Sequence, residues 1–140
     1  MSDKPAIVRD LMQTRVHTLR RNDKLSVADD LMKQERVRHL PVLNEDGDLA
    51  GIVSQRDLFR GALLRALGYG ARAEEHMLRT VLVKEAMTEQ VHTTSPDTSL
   101  NEAAALMLKH RIGCLPVVEG EKLVGIISES DLIRLIAEDR

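Results

Sequence analysis

The sequence predicts an α+β fold made of two β-α-β-β-α units, and two observations carry that prediction. The run His39 to Leu58, "HLPVLNEDGDLAGIVSQRDL", returns as "CLPVVEGEKLVGIISESDL" from Cys114 to Leu132. Upstream, "VHTLRRNDKLSVADDLM" from Val16 returns as "VHTTSPDTSLNEAAALM" from Val91. The offset is 75 from Val8/Val83 through Val42/Val117 and falls to 74 from Leu49/Leu123, because the second copy's turn is one residue shorter. Two copies of one mixed unit imply a pseudo-two-fold pair, and their seam is the natural place for a site.

Within each copy the periods fix the elements in order. The V-x-T triplets, Val16–Thr18 and Val91–Thr93, open the units as strands. Leu25, Ala28, Leu31 and Met32, matched by Leu100, Ala103, Leu106 and Met107, recur at helical spacing. "SLNE" from Ser99 to Glu102 has the pattern of a capping box. Pro41 and Pro116 lie in "LPVL" and "LPVV" and predict edge strands or strand starts. Polar turns at 44–48 and 119–122 lead into "LAGIVS" and "LVGIIS", which completes a hairpin in each copy. Closing helices begin at Ser54 and Ser128, with Leu58, Ala62, Leu63 and Leu132, Ile133, Ile136 expected on their inner faces.

The expected organisation is repeat one over 8–67, a linker helix region over 68–82 and repeat two over 83–140. Gly68 and Gly70 mark a helix stop, and a further helix is expected from Ala71 to about Met87. Arg56, Arg60, Arg65, Arg72 and Arg79 make the middle third locally basic, which reads as a solvated face or, less favoured, as a nucleic-acid or partner-binding stripe. Gly61 inside a helix suggests close helix approach or tolerated slack.

Bulk composition excludes several classes. With 140 residues the chain can bury roughly 70% of its unfolded surface. A repeat of about 50 residues is marginal alone, so the copies are expected to share one core. A net charge of −2 argues against binding nucleic acid through global charge. Phe59 and Tyr69 are the only aromatic residues among Phe, Tyr and Trp, which argues against base stacking. The polar start "MSDKPAIVRD" reads as no secretory segment, and no apolar run approaches the ~18 residues needed to span a bilayer. Cys114, alone, fits a reducing cytoplasm.

The pattern with the clearest chemistry is Gly-x-x-Ser-x-x-Asp, at Gly51–Asp57 and Gly125–Asp131. It falls where a strand hands over to a helix, a junction that offers backbone N–H groups, a hydroxyl and a carboxylate. A carboxylate can accept both hydrogens of a ribose diol, and the donors can hold phosphate. The same S-x-x-D spacing is equally a helix cap that needs no ligand. The five histidines show no metal-ligand spacing, Cys114 reads as a buried inert thiol, and no nucleophile–base order suggests catalysis.

These motifs together, V-x-T, the "LM" helix, "LPV" and G-x-L-x-G-I-[VI]-S-x-x-D-L, resemble the cystathionine-β-synthase (CBS) domain family. The likeness covers about Val8–Leu58 and Val83–Leu135, as a tandem pair. It implies two sheets packed about a pseudo-two-fold axis and two composite clefts for adenosine-containing ligands such as AMP, ADP, ATP or S-adenosylmethionine. The first cleft would join Val16, Thr18, Val37, Arg38 and His39 to Ile126, Ser128, Ser130 and Asp131. The second would join Ile52, Ser54, Arg56 and Asp57 to Val91, Thr93, Ile112, Gly113 and Cys114. The aspartates would take the ribose, the apolar residues the adenine, and Thr18 or Thr93 the base edge.

Arg38 and His39 fall where relatives place phosphate-contacting bases, and Gly113 and Cys114 replace them in the second copy. Neither cleft carries the basic cluster expected for a triphosphate, which favours a mono- or dinucleotide or an uncharged-tail adenosyl compound. The resemblance thus implies a cytoplasmic regulatory module, not an enzyme. It needs no cofactor or metal, takes an adenine nucleotide as its regulatory ligand, forms a homodimer and acts on a protein target not identifiable from the sequence. The alternative is a ligand-free interaction module with degenerate clefts that acts through its dimer helix surface.

Overall fold

The computed structural model describes residues 4–58, 68 and 70–138. Phe59, Arg60, Gly61, Ala62, Leu63, Arg65 and Tyr69 lie outside the described residues. The elements in chain order are α1 (Val8–Leu11), β1 (Leu19–Arg20), α2 (Leu25–Glu35), β2 (His39–Leu43) and β3 (Leu49–Ser54). Next come α3 (Gly70–Thr80), α4 (Val83–Ala86), α5 (Leu100–His110), β4 (Cys114–Glu119), β5 (Lys122–Ser128) and α6 (Glu129–Glu138). Residues 55–58 are also helical. The mixture of helices and strands agrees with the α+β prediction.

The chain divides into two compact units, His17–Val91 and Met1–Val16 with His92–Arg140. In the first, β1 pairs parallel with β2 and β2 antiparallel with β3. In the second, β4 pairs antiparallel with β5, and the counterpart of β1 shrinks to one parallel bridge, Thr94 to Val117. Both hairpins shift register at the same repeat position, Val42/Leu43 and Val117/Val118. The shorter second turn is a two-residue loop with Gly120 at φ 64°, the left-handed geometry that suits a tight hairpin.

Where a single shared core is expected, the buried apolar side chains among the described residues form one cluster in each unit. Leu25, Ala28, Met32, Leu40, Val42 and Val53 fill one. Their repeat equivalents Leu100, Ala103, Met107, Leu115, Val117 and Ile127 fill the other. Each core is completed by the short helix that precedes the other repeat's first strand. Val83 and Ala86 of α4 join the first, and Val8 of α1 joins the second. Backbone hydrogen bonds fix these insertions in parallel fashion. Val83 N–H donates to the Asp23 carbonyl and Lys84 N–H to Arg21, as Val8 N–H donates to Thr98 and Arg9 N–H to Pro96.

That insertion also corrects the expected helix from Ala71 to Met87. The helix stops at Thr80 and restarts at Val83, with Leu82 extended at φ −85° and ψ 148° between them. Leu25 N–H donates to the Val81 carbonyl at 2.9 Å, and Leu82 bridges Lys24. A long-range backbone pairing therefore takes the chain out of the helix without Pro or Gly. Gly68 carries φ 92°, as expected of a stop, whereas Gly70 opens α3.

Three further expectations are corrected. The V-x-T triplets stand just before the strand and its bridge, not within them. Pro41 lies in the middle strand of a three-stranded sheet rather than at an edge. The equivalent Pro116 shows how a proline is tolerated. Its partner Ile126 directs both N–H and C=O to Gln13, at 2.9 and 2.8 Å, so no ladder bond asks Pro116 for an N–H. On α6 the residues that pack inward are Leu132 and Leu135, while Ile133 and Ile136 are 63% and 75% exposed. The Ser99 cap forms as expected, accepting from Glu102 N–H at 3.1 Å.

Candidate functional site

Each Gly-x-x-Ser-x-x-Asp motif folds into the same junction. Ser54 ends β3, and its N–H and hydroxyl both donate to Asp57 Oδ2, at 2.6 and 3.1 Å. Ser128 ends β5 and donates in the same way to Asp131 Oδ2, at 2.9 and 3.1 Å. These bonds satisfy donors at the start of the helix and place a carboxylate at its positive end. The residue after each serine ties the junction to the neighbouring strand. Gln55 N–H donates to the Arg38 carbonyl at 2.7 Å, and Glu129 N–H to the Gly113 carbonyl at 2.9 Å. Across the ladders His39 faces Ser54 and Cys114 faces Ser128. Each unit therefore gathers its own serine, aspartate and the residues preceding its "LPV".

The two aspartates differ in their surroundings. Asp131 is 5% exposed. Its Oδ1 accepts from Gln13 Nε2 at 3.2 Å and stands 3.5 Å from Arg134 Nη1. Asp57 is half-buried. Burial, reinforced by the negative charge of Asp131, pushes the Cys114 thiol up to about 12. A thiol held protonated in this way is a poor nucleophile, consistent with the inert reading of Cys114.

Each cleft set inferred from the sequence draws on both units. In the first set Val16, Ile126, Ser128, Ser130 and Asp131 lie in one unit, and Thr18, Val37, Arg38 and His39 in the other. In the second set Ile52, Ser54, Arg56, Asp57 and Val91 lie in one, and Thr93, Ile112, Gly113 and Cys114 in the other. Thr18, Val37, His39, Ile52, Thr93 and Ile126 are half-buried, whereas Arg38, Arg56 and Ser130 are exposed. Thr93 opens on a groove of about 520 Å³, lined also by Thr94, Ser95, Thr98 and Glu102. From the basic stripe, Arg79 is paired with Glu75 at 2.8 Å. Among the described residues no group of three or more His, Cys, Asp or Glu side chains could hold a metal ion. Nor is any described helix long and apolar enough to cross a membrane.

Sequence reasoning missed Met12–Gln13 and Met87–Thr88. Gln13 bridges Ile126 and Thr88 bridges Ile52, so each pair runs beside a residue expected to sandwich adenine. The signal was present, because these dipeptides stand at the same offset as the rest of the repeat. Glu129 was also missed. Its carboxylate occupies the space a side chain at position 113 would take, with Oε1 at 3.0 Å from a Cβ placed there. Repeat one has Gln55 and Arg38 at those positions.

The CBS domain profile matches residues 8–63 and 83–138. Curated relatives include a homoserine O-acetyltransferase of Methanococcoides burtonii, 37% identical over 92% of this chain and 24% of its own length. Another is the CBS domain-containing protein YhcV of Bacillus subtilis, 35% identical over 89% of this chain and 81% of its own. The chain thus spans about a quarter of the acetyltransferase it matches. Among solved structures, a putative acetoin utilization protein (AcuB) from Vibrio cholerae is 36% identical, with a TM-score of 0.76 over 95% of this chain and 91% of its own. CBSX2 in complex with AMP is 27% identical, with a TM-score of 0.76 over 94% and 96%. The CBS domain pair of protein MJ0100, in complex with 5′-methylthioadenosine and S-adenosyl-L-methionine, is 26% identical, with a TM-score of 0.78 over 96% and 98%.

Proposed function

Since the chain belongs to the CBS domain family, in which it carries two copies, we propose that it is a regulatory module that senses an adenosine-containing ligand, and not an enzyme. The observation that supports this reading is the twice-built serine–aspartate junction, which fixes a carboxylate where a strand hands over to a helix in each unit. The AMP complex of CBSX2 and the methylthioadenosine and S-adenosylmethionine complex of MJ0100 support the ligand class. In this reading Asp57 and Asp131 accept from a ribose diol, and Ile52 and Ile126 contact the base. A ligand at Asp131 shares Oδ1 with the Gln13 amide.

Arg38 and His39 in the first cleft, and Arg56 in the second, are the proposed phosphate contacts, and so few basic groups in each cleft suit one or two phosphates better than three. Ligand binding shifts an equilibrium only by its difference in affinity between two arrangements, so the output requires a dimer or a protein target. A thermal-shift panel of AMP, ADP, ATP, S-adenosylmethionine, NAD and GMP on the intact chain tests the reading. A ligand at about 100 times its Kd stabilises by about 2.7 kcal/mol. A selective upward shift is expected with one adenosyl compound, and a flat panel on nucleotide-free protein contradicts the proposal.

A second reading is favoured by the exposed Ile133 and Ile136 on α6. In it both junctions act only as helix caps and α6 serves self-association. Concentration-independent monomer in sedimentation, together with a ligand response, would remove it.

A further inference from the structure

Four residues outside the serine–aspartate junctions form two pairs at equivalent places in the repeats. His92 and His110 stack with ring centroids 3.7 Å apart and planes 16° from parallel. Subtracting the repeat offset of 75 from each gives His17 and Glu35. His17 Nε2 lies 3.4 Å from Glu35 Oε2. One member of each pair stands just before the first strand or bridge of its repeat, and the other is the last residue of the following helix, α5 or α2. Each pair therefore fastens the segment holding Thr93 or Thr18 to a helix end, and the two fastenings use opposite chemistry.

Stacked imidazoles are compatible while at least one is neutral, because two cations at this distance repel. An imidazole–carboxylate pair is the reverse, since it gains its Coulomb attraction only when the imidazole is protonated. We propose that the two pairs form proton-operated clasps of opposite sign, such that acidification loosens the His92–His110 clasp and tightens the His17–Glu35 clasp. Among the described residues Lys109 acts on His110 directly, and Arg111 follows it in sequence. Beside Glu35 the adjacent charged residue is Arg36.

Burial, the His92 charge and Lys109 together hold His110 below the ordinary imidazole value. The fold thus favours neutral His110. Its contribution is complete above about pH 6.5, the unfolded value, and is lost as the pH falls below it. The mechanism needs no ligand and stands apart from the proposed sensing role.

Amide hydrogen exchange, corrected for intrinsic rates, reads both clasps in the intact chain. The Thr94 N–H, bonded to the Pro116 carbonyl at 3.0 Å, reports on repeat two, and amides of β1 report on repeat one. Between about pH 8 and pH 5.5, protection at Thr94 is expected to fall by on the order of threefold or more, while protection in β1 holds or rises. In His110→Glu, which installs the repeat-one pairing, the fall at Thr94 should vanish or reverse. Unchanged Thr94 protection in the wild type, or an equal fall in His110→Glu, overturns the proposal.

Discussion

Met87 lies against Gly51: a Cβ at position 51 would stand 2.7 Å from Met87 Sδ and 2.8 Å from the Thr88 carbonyl oxygen. Gly125 repeats the arrangement, with Met12 Sδ at 2.8 Å and the Gln13 carbonyl oxygen at 2.9 Å. The glycine of each Gly-x-x-Ser-x-x-Asp motif therefore makes room for the segment that pairs beside its strand. Gly51→Ala and Gly125→Ala should each cost roughly 1–3 kcal/mol in urea denaturation. Adding Met87→Ala to Gly51→Ala should restore only part of the loss, because the Thr88 carbonyl is backbone and cannot swing away. Full rescue would show that the methionine alone sets the restriction.

The capping bonds make a second prediction. Asp57→Ala should destabilise by roughly 1 kcal/mol, the typical worth of such a cap. Asp131→Ala should cost more, because Asp131 is itself buried and its carboxylate also accepts from the Gln13 amide. Asparagine at either position keeps an oxygen for the serine donors and should be the milder change. Equal losses for the two alanine variants in chemical denaturation would contradict the difference in their surroundings.

Much of this was legible because the chain repeats itself. The core positions of α2 and α5 follow from helical spacing, and the serine–aspartate spacing announces a cap, which forms twice. Less legible was whatever depends on distant backbone pairing. The break at Val81–Leu82 has no Pro or Gly to mark it and arises from pairing with Lys24. Helices as short as α1 and α4 contain too few residues for a period to register. The tolerance of Pro116 inside a strand depends on which way Ile126 points its amide, a property of the register and not of composition. As for the site, the junctions could be read locally, whereas Gln13 and Glu129 come beside them only in the folded units.

A third prediction concerns helix termination. Arg36 and Arg111, repeat equivalents, end α2 and α5 in the left-handed region, at φ 54° and 55°. Glycine adopts this conformation without the Cβ penalty. Arg36→Gly and Arg111→Gly should each therefore stabilise the protein by roughly 0.5–1 kcal/mol, and valine should destabilise at either place. Differential scanning calorimetry of the four variants checks the sign.

Cys114 provides a fourth. With its thiol pushed up to about 12 by burial and by Asp131, thiolate is scarce at neutral pH. Alkylation by iodoacetamide should be slow in the folded protein and should become fast only in denaturant. Complete labelling of native protein on the timescale of a free thiol would contradict the burial of this residue.

The central claim is that the serine–aspartate junctions hold an adenosyl ligand, and isothermal calorimetry on the asparagine variants tests it most directly. AMP and S-adenosylmethionine would be titrated into wild type, Asp57→Asn, Asp131→Asn and the double variant, each first confirmed folded by its denaturation curve. The account predicts measurable binding of at least one compound to the wild type. It also predicts a loss of tenfold or more, about 1.4 kcal/mol, in one single variant, and abolition in the double. Wild-type affinity retained in the folded double variant would show that these carboxylates serve only as helix caps.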